Sequence, residues 1–210
     1  MTTVREELEK LRALVRAHSD VAMALLKSRD GYGTMRDMIA VMVLNRSVNL
    51  LDGFAVLIER RNFTAAAPLV RMQMDNCMRF YALWLVDNPD DMALRIISGA
   101  SLNKMKSSTG RTLTDAYLVE QLTRTMPWCK DVYQNTSGYV HLSNKHFSHA
   151  YTVKDKSESV LSVRIGVQDE GVSDDDYVEA IQAFLILTEA VLHFTRQLIK
   201  QKEASVITLP

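Results

Sequence analysis

Glycine, proline and cysteine are all scarce in this sequence. Its 210 residues include 8 glycines, 4 prolines and 2 cysteines. Glycine and proline supply most tight turns, so a chain with so few of them favours a small number of long elements. Cys77 and Cys129 form neither a disulfide framework nor a zinc-site spacing, and we predict that both are reduced core residues.

The chain also lacks an excess of charge of either sign. It has 25 Lys and Arg residues against 25 Asp and Glu residues, so its formal net charge is zero. No global field therefore concentrates nucleic acid or an anionic membrane at its surface. Any contact with RNA or DNA must use a local cluster of basic residues.

Long hydrophobic runs are missing as well. The longest run, Met38 to Leu44, is far shorter than the ~20 residues that span a bilayer. The segment from Thr2 to Lys10 is charged rather than apolar, unlike a secretory signal. We expect a cytoplasmic protein that makes no membrane contact.

Apolar residues recur mainly at helical spacing. An amphipathic helix is predicted over Val4–Lys27, and an almost uniformly apolar, buried helix over Met35–Glu59. Thr64 is expected to cap the next helix, which runs to about Val86 and forms an antiparallel hairpin with its predecessor. Further helices are predicted over 91–106, from Thr112 or Thr114 to Arg124, and over 128–136, 139–151 and 177–202. Residues 1–210 are therefore expected to form a single all-α domain, an antiparallel multi-helix bundle.

One segment has a different period. From Ser159 to Val167 apolar and polar residues alternate, which is typical of a β-strand. We expect a small β-hairpin arm near 157–168. Ser173 and Asp176 have the spacing of a capping box for the last helix.

A polar stripe runs along the second predicted helix. Asn45, Asn49 and Asp52 lie at i, i+4 and i+7, with Arg46 beside them. Because that helix is predicted to be buried, these side chains need partners, since each unpaired polar group costs about 1–3 kcal/mol. They form either a core network that fixes helix register or one wall of a site.

The following helix carries a charged stripe. Arg71, Asp75 and Arg79 are spaced i, i+4 and i+8. In one interpretation they form an exposed ladder of ion pairs that contributes little to stability. In the other, Arg71 points inward and offers its guanidinium donors to an anion.

Histidine, serine and tyrosine are concentrated between residues 139 and 149. This segment holds Tyr139, His141, Ser143, His146, Ser148 and His149. Histidine is the side chain most easily used for acid and base catalysis near neutral pH. The segment is therefore a candidate catalytic element.

Three chemistries compete for this segment. A metal site would need His146, His149 and a carboxylate such as Asp75 or Asp52, but the spacing matches no common zinc signature. A serine nucleophile would need an oxyanion hole, and the glycine-rich turn that usually supplies one is missing. Metal-independent cleavage of RNA needs a histidine and a cation, roles that His146 or His149 and Arg71 can fill. No cofactor or metal is expected.

These residues carry a resemblance to a known family. The sequence resembles uncharacterised bacterial helical proteins that are distantly related to the HEPN superfamily, over about residues 40 to 200. The resemblance rests on Asn45-Arg46, Asn49-Leu50, Gly53, Leu57, Arg60, Ala66, Leu69-Val70-Arg71 and Asp75, followed by Tyr139-x-x-Leu142-Ser143-x-x-His146-x-Ser148.

The resemblance implies a helical bundle, often dimeric, whose hairpin and Tyr-x-x-Leu-Ser-x-x-His segment converge on one cleft. HEPN proteins are often ribonucleases of toxin or phage-defence systems, with an arginine placed four to six residues before a histidine. Here Ser143-Asn144 stands at the place of that arginine, ahead of His149. The family's catalytic arginine is therefore absent, and Arg71 is its candidate replacement.

Two functional hypotheses follow. In the first, Asn49, Asp52, Arg71, Asp75, Tyr139, Ser143 and His146 line a cleft that acts on RNA or a nucleotide. In the second, the same residues lock the core, and the protein is a non-catalytic interaction module that binds a partner such as an antitoxin. In either case we expect a homodimer, because the long apolar helices and 11 methionines offer more apolar surface than one bundle covers.

Overall fold

A computed structural model describes residues 2–141, 143–155 and 160–204, without the side chains of 145, 148, 149, 152–155, 160 and 161. Helices dominate this part of the chain and pack against one another, which confirms the predicted all-α bundle. The elements are α1 (Val4–Lys27), α2 (Met35–Glu59), α3 (Phe63–Tyr81), α4 (Pro89–Ile97), α5 (Asp115–Thr125), α6 (Cys129–Val140), α7 (Asn144–Ala150), β1 (Tyr151–Asp155), β2 (Val160–Val163) and α8 (Asp174–Ala204).

The first two helices have the predicted bounds because capping boxes fix where they begin. Thr3 caps α1 with Glu6, and Thr34 caps α2 with Asp37; each pair exchanges side-chain and backbone hydrogen bonds. These bonds satisfy donors of the first helical turn that would otherwise lack partners. The same device starts α8, where the predicted box of Ser173 and Asp176 is present.

The start and end of α3 differ from the prediction. Asn62, not Thr64, accepts the capping hydrogen bond, and α3 ends at Tyr81, where a 3-10 turn over Ala82–Leu85 takes over. Thr64 instead donates its backbone N–H to Asp169, with an N–O distance of 2.6 Å. Asp169, 105 positions along the chain, thus accepts a backbone N–H of the first turn of α3. A local sequence pattern cannot reveal such a long-range hydrogen bond.

Three shorter elements also depart from their predicted bounds. α4 ends at Ile97, well before Lys106, and Gly99 beyond its end has a φ of +88° that no helix accommodates. α6 continues through Gly138 to Val140. A two-stranded hairpin is present, but β1 begins at Tyr151, which was predicted to be helical, and pairs that residue with Val163.

The core forms where α8 packs against α1, α2 and α3, with Phe54 stacked on Phe184 at a centroid distance of 4.4 Å. By length and composition alone, α2 and α8 would be long and apolar enough to cross a membrane. About half of the most apolar stretch of each is buried in the bundle, as is usual for core helices. Cys77 and Cys129 are free and buried, and burial raises the pKa of the Cys129 thiol to about 12.

The polar stripe on α2 lies on the solvent-exposed side of the helix, not on the buried side as expected. Asn45, Asn49 and Asp52 are exposed, so the prediction that they form a buried network is wrong. The helix is apolar on so many sides that its pattern does not identify the face that meets the core. Asn49 donates its side-chain Nδ2 to the backbone carbonyl and the side-chain oxygen of Asn45, one turn earlier on the same helix.

A different set of polar residues ties the core together. Ser47 on α2 accepts a hydrogen bond from Gln73 Nε2 at 2.6 Å and lies 2.9 Å from the His18 ring. Gln73 also donates to Thr188 of α8 at 3.0 Å. Because all four side chains are buried, this network joins α1, α2, α3 and α8 in one register.

A buried ion pair closes the other end of the bundle. Lys202 Nζ lies 2.8 Å from Asp37 Oδ2, and the two side chains are only 5% and 7% exposed. The carboxylate that completes the cap of α2 thus also holds the last turn of α8.

We expect the Lys202→Met variant to lower the free energy of unfolding by about 3–5 kcal/mol, because it leaves the charged Asp37 carboxylate buried without its cation. Lys200→Met, on an exposed position of the same helix, should cost no more than about 0.5 kcal/mol. Urea denaturation of both variants measures the difference. Equal losses in the two variants would contradict a stabilising role for the pair.

His18 gives the protein a predictable loss of stability in acid. Burial lowers the pKa of the imidazole, so the folded state keeps it neutral while the unfolded chain takes up a proton near pH 6.5. The stability from this residue is present above that pH and is lost as the pH falls below it. In urea titrations between pH 7.5 and 5.5, His18→Gln should lose less stability than the wild type, whereas the exposed-site control His193→Gln should follow the wild type.

Candidate functional site: the arginine cleft

Charged and polar side chains of α2, α3, α5 and α6 surround a depression of about 370 Å³. We call it the arginine cleft. It is lined by Arg46, Arg71, Met72, Asp75, Asp115, Tyr133, Ser137, Val140 and His141.

A chain of ion pairs borders the cleft. Arg46 Nη1 lies 3.1 Å from Asp75 Oδ2, and Arg79 bridges Asp75 and Asp115, reaching the second at 3.0 Å. With Arg71 included, three guanidinium groups face two carboxylates. The cluster therefore has one more positive charge than negative charge.

Arg71 is the arginine that this network binds least tightly. Its guanidinium lies over the Tyr133 ring, 4.2 Å from the centroid, and its side chain is 15% exposed. Its nearest carboxylate oxygen, on Asp115, is 3.7 Å away, which is too far for a hydrogen bond. Within the described residues its guanidinium makes no hydrogen bond, so Arg71 is held in place by stacking while its donors stay available.

The cleft exists because two helices present matching polar faces. Arg71, Asp75 and Arg79 recur at i, i+4 and i+8 on α3, while Tyr133, Ser137 and His141 recur at the same spacing along α6 and its C-cap. Residues at this spacing share one side of a helix. Because α3 packs against α6, the two rows face each other across the cleft.

The structure brings together only some of the predicted site residues. Arg71 and Asp75 line the arginine cleft, whereas Tyr139 lines a second groove of about 390 Å³ on another side of α6. Among the described residues, none lines both depressions. Of the 139–149 segment, His141 reaches the arginine cleft, but the expected convergence of Tyr139 with Arg71 in one recess is not observed.

His146 and Ser143 are grouped with Tyr139. The His146 ring lies 6.5 Å from the Tyr139 ring, and Ser143 donates its backbone N–H to His146 Nδ1 at 3.3 Å. The hydroxyl of Ser143 donates to the Gly138 carbonyl at 2.6 Å. Ser143 therefore bonds both to the last turn of α6 and to the His146 ring. The predicted site residue His149 has a side chain outside the described part of the structure.

The groove that Tyr139 lines is acidic, in contrast to the positively charged arginine cleft. Its rim carries Asp131, Asp176 and Glu179. Burial raises the pKa of Tyr139, and the nearby charges of Asp176 and Glu179 raise it further. An anionic ligand would be repelled there, whereas the arginine cleft has an excess of positive charge.

Sequence reasoning missed several residues of the cleft. The 133–137–141 row was not recognised because Gly138 suggested that the helix ended earlier. Asp115 belongs to another helix and has no periodic relation to Arg71. The row could have been found from its i, i+4, i+8 spacing, but the contribution of Asp115 depends on tertiary packing.

Within the described residues, no group of three or more His, Cys, Asp and Glu side chains is arranged to hold a metal ion. In comparisons with known proteins, no family model matches the chain, and no curated protein or solved structure is significantly similar to it. The HEPN resemblance therefore stays a prediction.

Replacement of Arg71 tests whether the residue is structural. Arg71→Gln removes one cation–π contact and one long, partly exposed ion pair, so it should lower the free energy of unfolding by only about 1–2 kcal/mol. Urea denaturation measures this loss, with Arg124→Gln on an exposed position of α5 as the control. A loss as large as that caused by breaking a buried ion pair would identify Arg71 as a structural lock instead.

Proposed function

We propose that this protein binds the phosphate groups of RNA or of a nucleotide in the arginine cleft. The observation that carries the proposal is the state of Arg71, a largely buried guanidinium that is stacked on Tyr133 and makes no hydrogen bond among the described residues. A guanidinium has five N–H donors in a planar fork that suits phosphate oxygens.

The charges of the cleft favour this ligand. Arg46 and Arg79 are each about 40% exposed and share the Asp75 carboxylate, so both can turn part of their donor set toward a bound anion. A phosphate placed between Arg71 and Arg46 would meet the net positive charge of the cluster. The overall neutral protein would then bind RNA through one local patch.

His141 adds the group needed for RNA cleavage. It is exposed and lines the cleft, where it can accept the proton of a ribose 2′-hydroxyl. The 2′-oxygen then bonds to phosphorus as the bond from phosphorus to the 5′-oxygen breaks, leaving a 2′,3′-cyclic phosphate and a 5′-hydroxyl that takes its proton from water. Arg71 stabilises the negative charge of the transition state. This reaction agrees with a HEPN-like ribonuclease of a toxin or defence system.

RNA binding and cleavage in EDTA test the two steps separately. Arg71→Gln should weaken RNA binding about tenfold or more, as loss of a charge-assisted contact implies, whereas Arg124→Gln should not. His141→Asn should keep binding but lose cleavage, and His146→Asn should keep both. Absence of RNA binding by the wild type would contradict the proposal. Loss of cleavage in His146→Asn but not in His141→Asn would transfer the catalytic role to the other histidine.

A second candidate is a non-catalytic interaction module. It is favoured by exposed apolar side chains around the hairpin, above all Ile165 and Val167, which are 98% and 81% exposed. Such surfaces often bind partners, here a second copy of the chain or an antitoxin-like protein. If the protein is an interaction module, the arginine cleft is a structural ion-pair network. Unchanged RNA binding by the Arg71→Gln variant would therefore favour the interaction module over the RNA-binding function.

A further inference from the structure

A third depression, separate from the Tyr139 groove, adjoins the arginine cleft. It measures about 350 Å³ and lies between α2, α3, α4 and the segment after α4. We call it the apolar depression. Its lining consists of Ile39, Met42, Val43, Arg46, Asn76, Arg79, Phe80, Ile96, Ala100, Ser101 and Leu102.

The two depressions share a wall of arginine. Arg46 lines both, and Arg79 lines the apolar depression while pairing with Asp75 and Asp115 of the arginine cleft. A ligand that lies across this wall meets guanidinium groups at one end and apolar surface at the other.

The apolar end rests on the core of the bundle. Ile39, Val43, Phe80 and Leu102 are buried beneath it, while Met42, Ile96 and Ala100 keep apolar surface that a ligand can contact. A cavity with apolar walls and few polar groups suits a small organic ligand. This part of the cavity fits a flat ring or an acyl chain.

One polar atom on the wall of the depression distinguishes these two kinds of ligand. Asn76 lines the depression and donates Nδ2 to the carbonyl of Val43 at 3.0 Å. Its Oδ1 accepts no hydrogen bond from any described residue, so this acceptor is open to a donor on a ligand. A ligand that carries an N–H group can supply the missing donor, whereas an acyl chain cannot.

We infer that the apolar depression is a nucleobase subsite of the arginine cleft. The base lies against the accessible apolar wall of Met42, Ile96 and Ala100 and donates an N–H of its Watson–Crick edge to Asn76 Oδ1. Its phosphate lies on the shared arginine wall, beside Arg71. The inference rests on the proposed phosphate-binding function and adds that the ligand is recognised through its base.

The test compares AMP, ribose 5-phosphate and decanoate by isothermal titration calorimetry. AMP should bind about tenfold more tightly than ribose 5-phosphate, because only AMP fills the apolar depression. Ala100→Trp should fill the depression from its exposed edge, abolishing this advantage while leaving ribose 5-phosphate affinity unchanged. Ser98→Trp, exposed nearby but outside the lining, is the matched control, and thermal melting verifies that both variants fold.

The remaining outcomes separate this inference from the proposed function. Equal affinity for AMP and ribose 5-phosphate, unaffected by Ala100→Trp, would overturn the base subsite and leave phosphate binding intact. Decanoate binding that Ala100→Trp blocks, without an AMP advantage, would make it an acyl site and overturn the inference. If neither phosphate ligand binds, the proposed function fails and the subsite fails with it.

Discussion

The stacking of the Arg71 guanidinium on the Tyr133 ring is the contact on which the arginine cleft depends. It joins α3 to α6 at the point where their polar rows face each other, and it fixes a cation without using its hydrogen-bond donors. An arginine held mainly by carboxylates would have those donors satisfied. Because an aromatic ring fixes Arg71 instead, its donors stay unsatisfied, and this is the basis of our proposal that the cleft binds an anion.

The rest of the fold makes this arrangement possible by satisfying polar groups elsewhere. The network of Ser47, Gln73 and Thr188 and the buried pair of Lys202 with Asp37 set the register of α2, α3 and α8. The charged cluster around Arg71 is only partly exposed, and its side chains take no part in that network. The proposed ligand binding and the stability of the bundle therefore involve different polar residues, and substitution can test them separately.

The fold was more accessible to sequence reasoning than the site. Thr3 and Thr34 begin their helices through local capping bonds, so α1 and α2 could be placed to the residue. The exposed face of α2 could not be identified, because its apolar residues surround the helix, and Asn49 was wrongly placed in the core. Arg71 was singled out with His146 or His149 as its expected partner, whereas the packing of α3 against α5 and α6 brings Asp115 and His141 to it instead.

The most direct measurement of the central claim is anomalous diffraction from crystals soaked in tungstate, an electron-dense oxyanion. We expect a tungsten peak in the arginine cleft, with tungstate oxygens at hydrogen-bond distance from the Arg71 guanidinium and Tyr133 still stacked against it. A tungsten peak elsewhere on the protein, with the cleft empty and Arg71 bonded to Asp115, would contradict it.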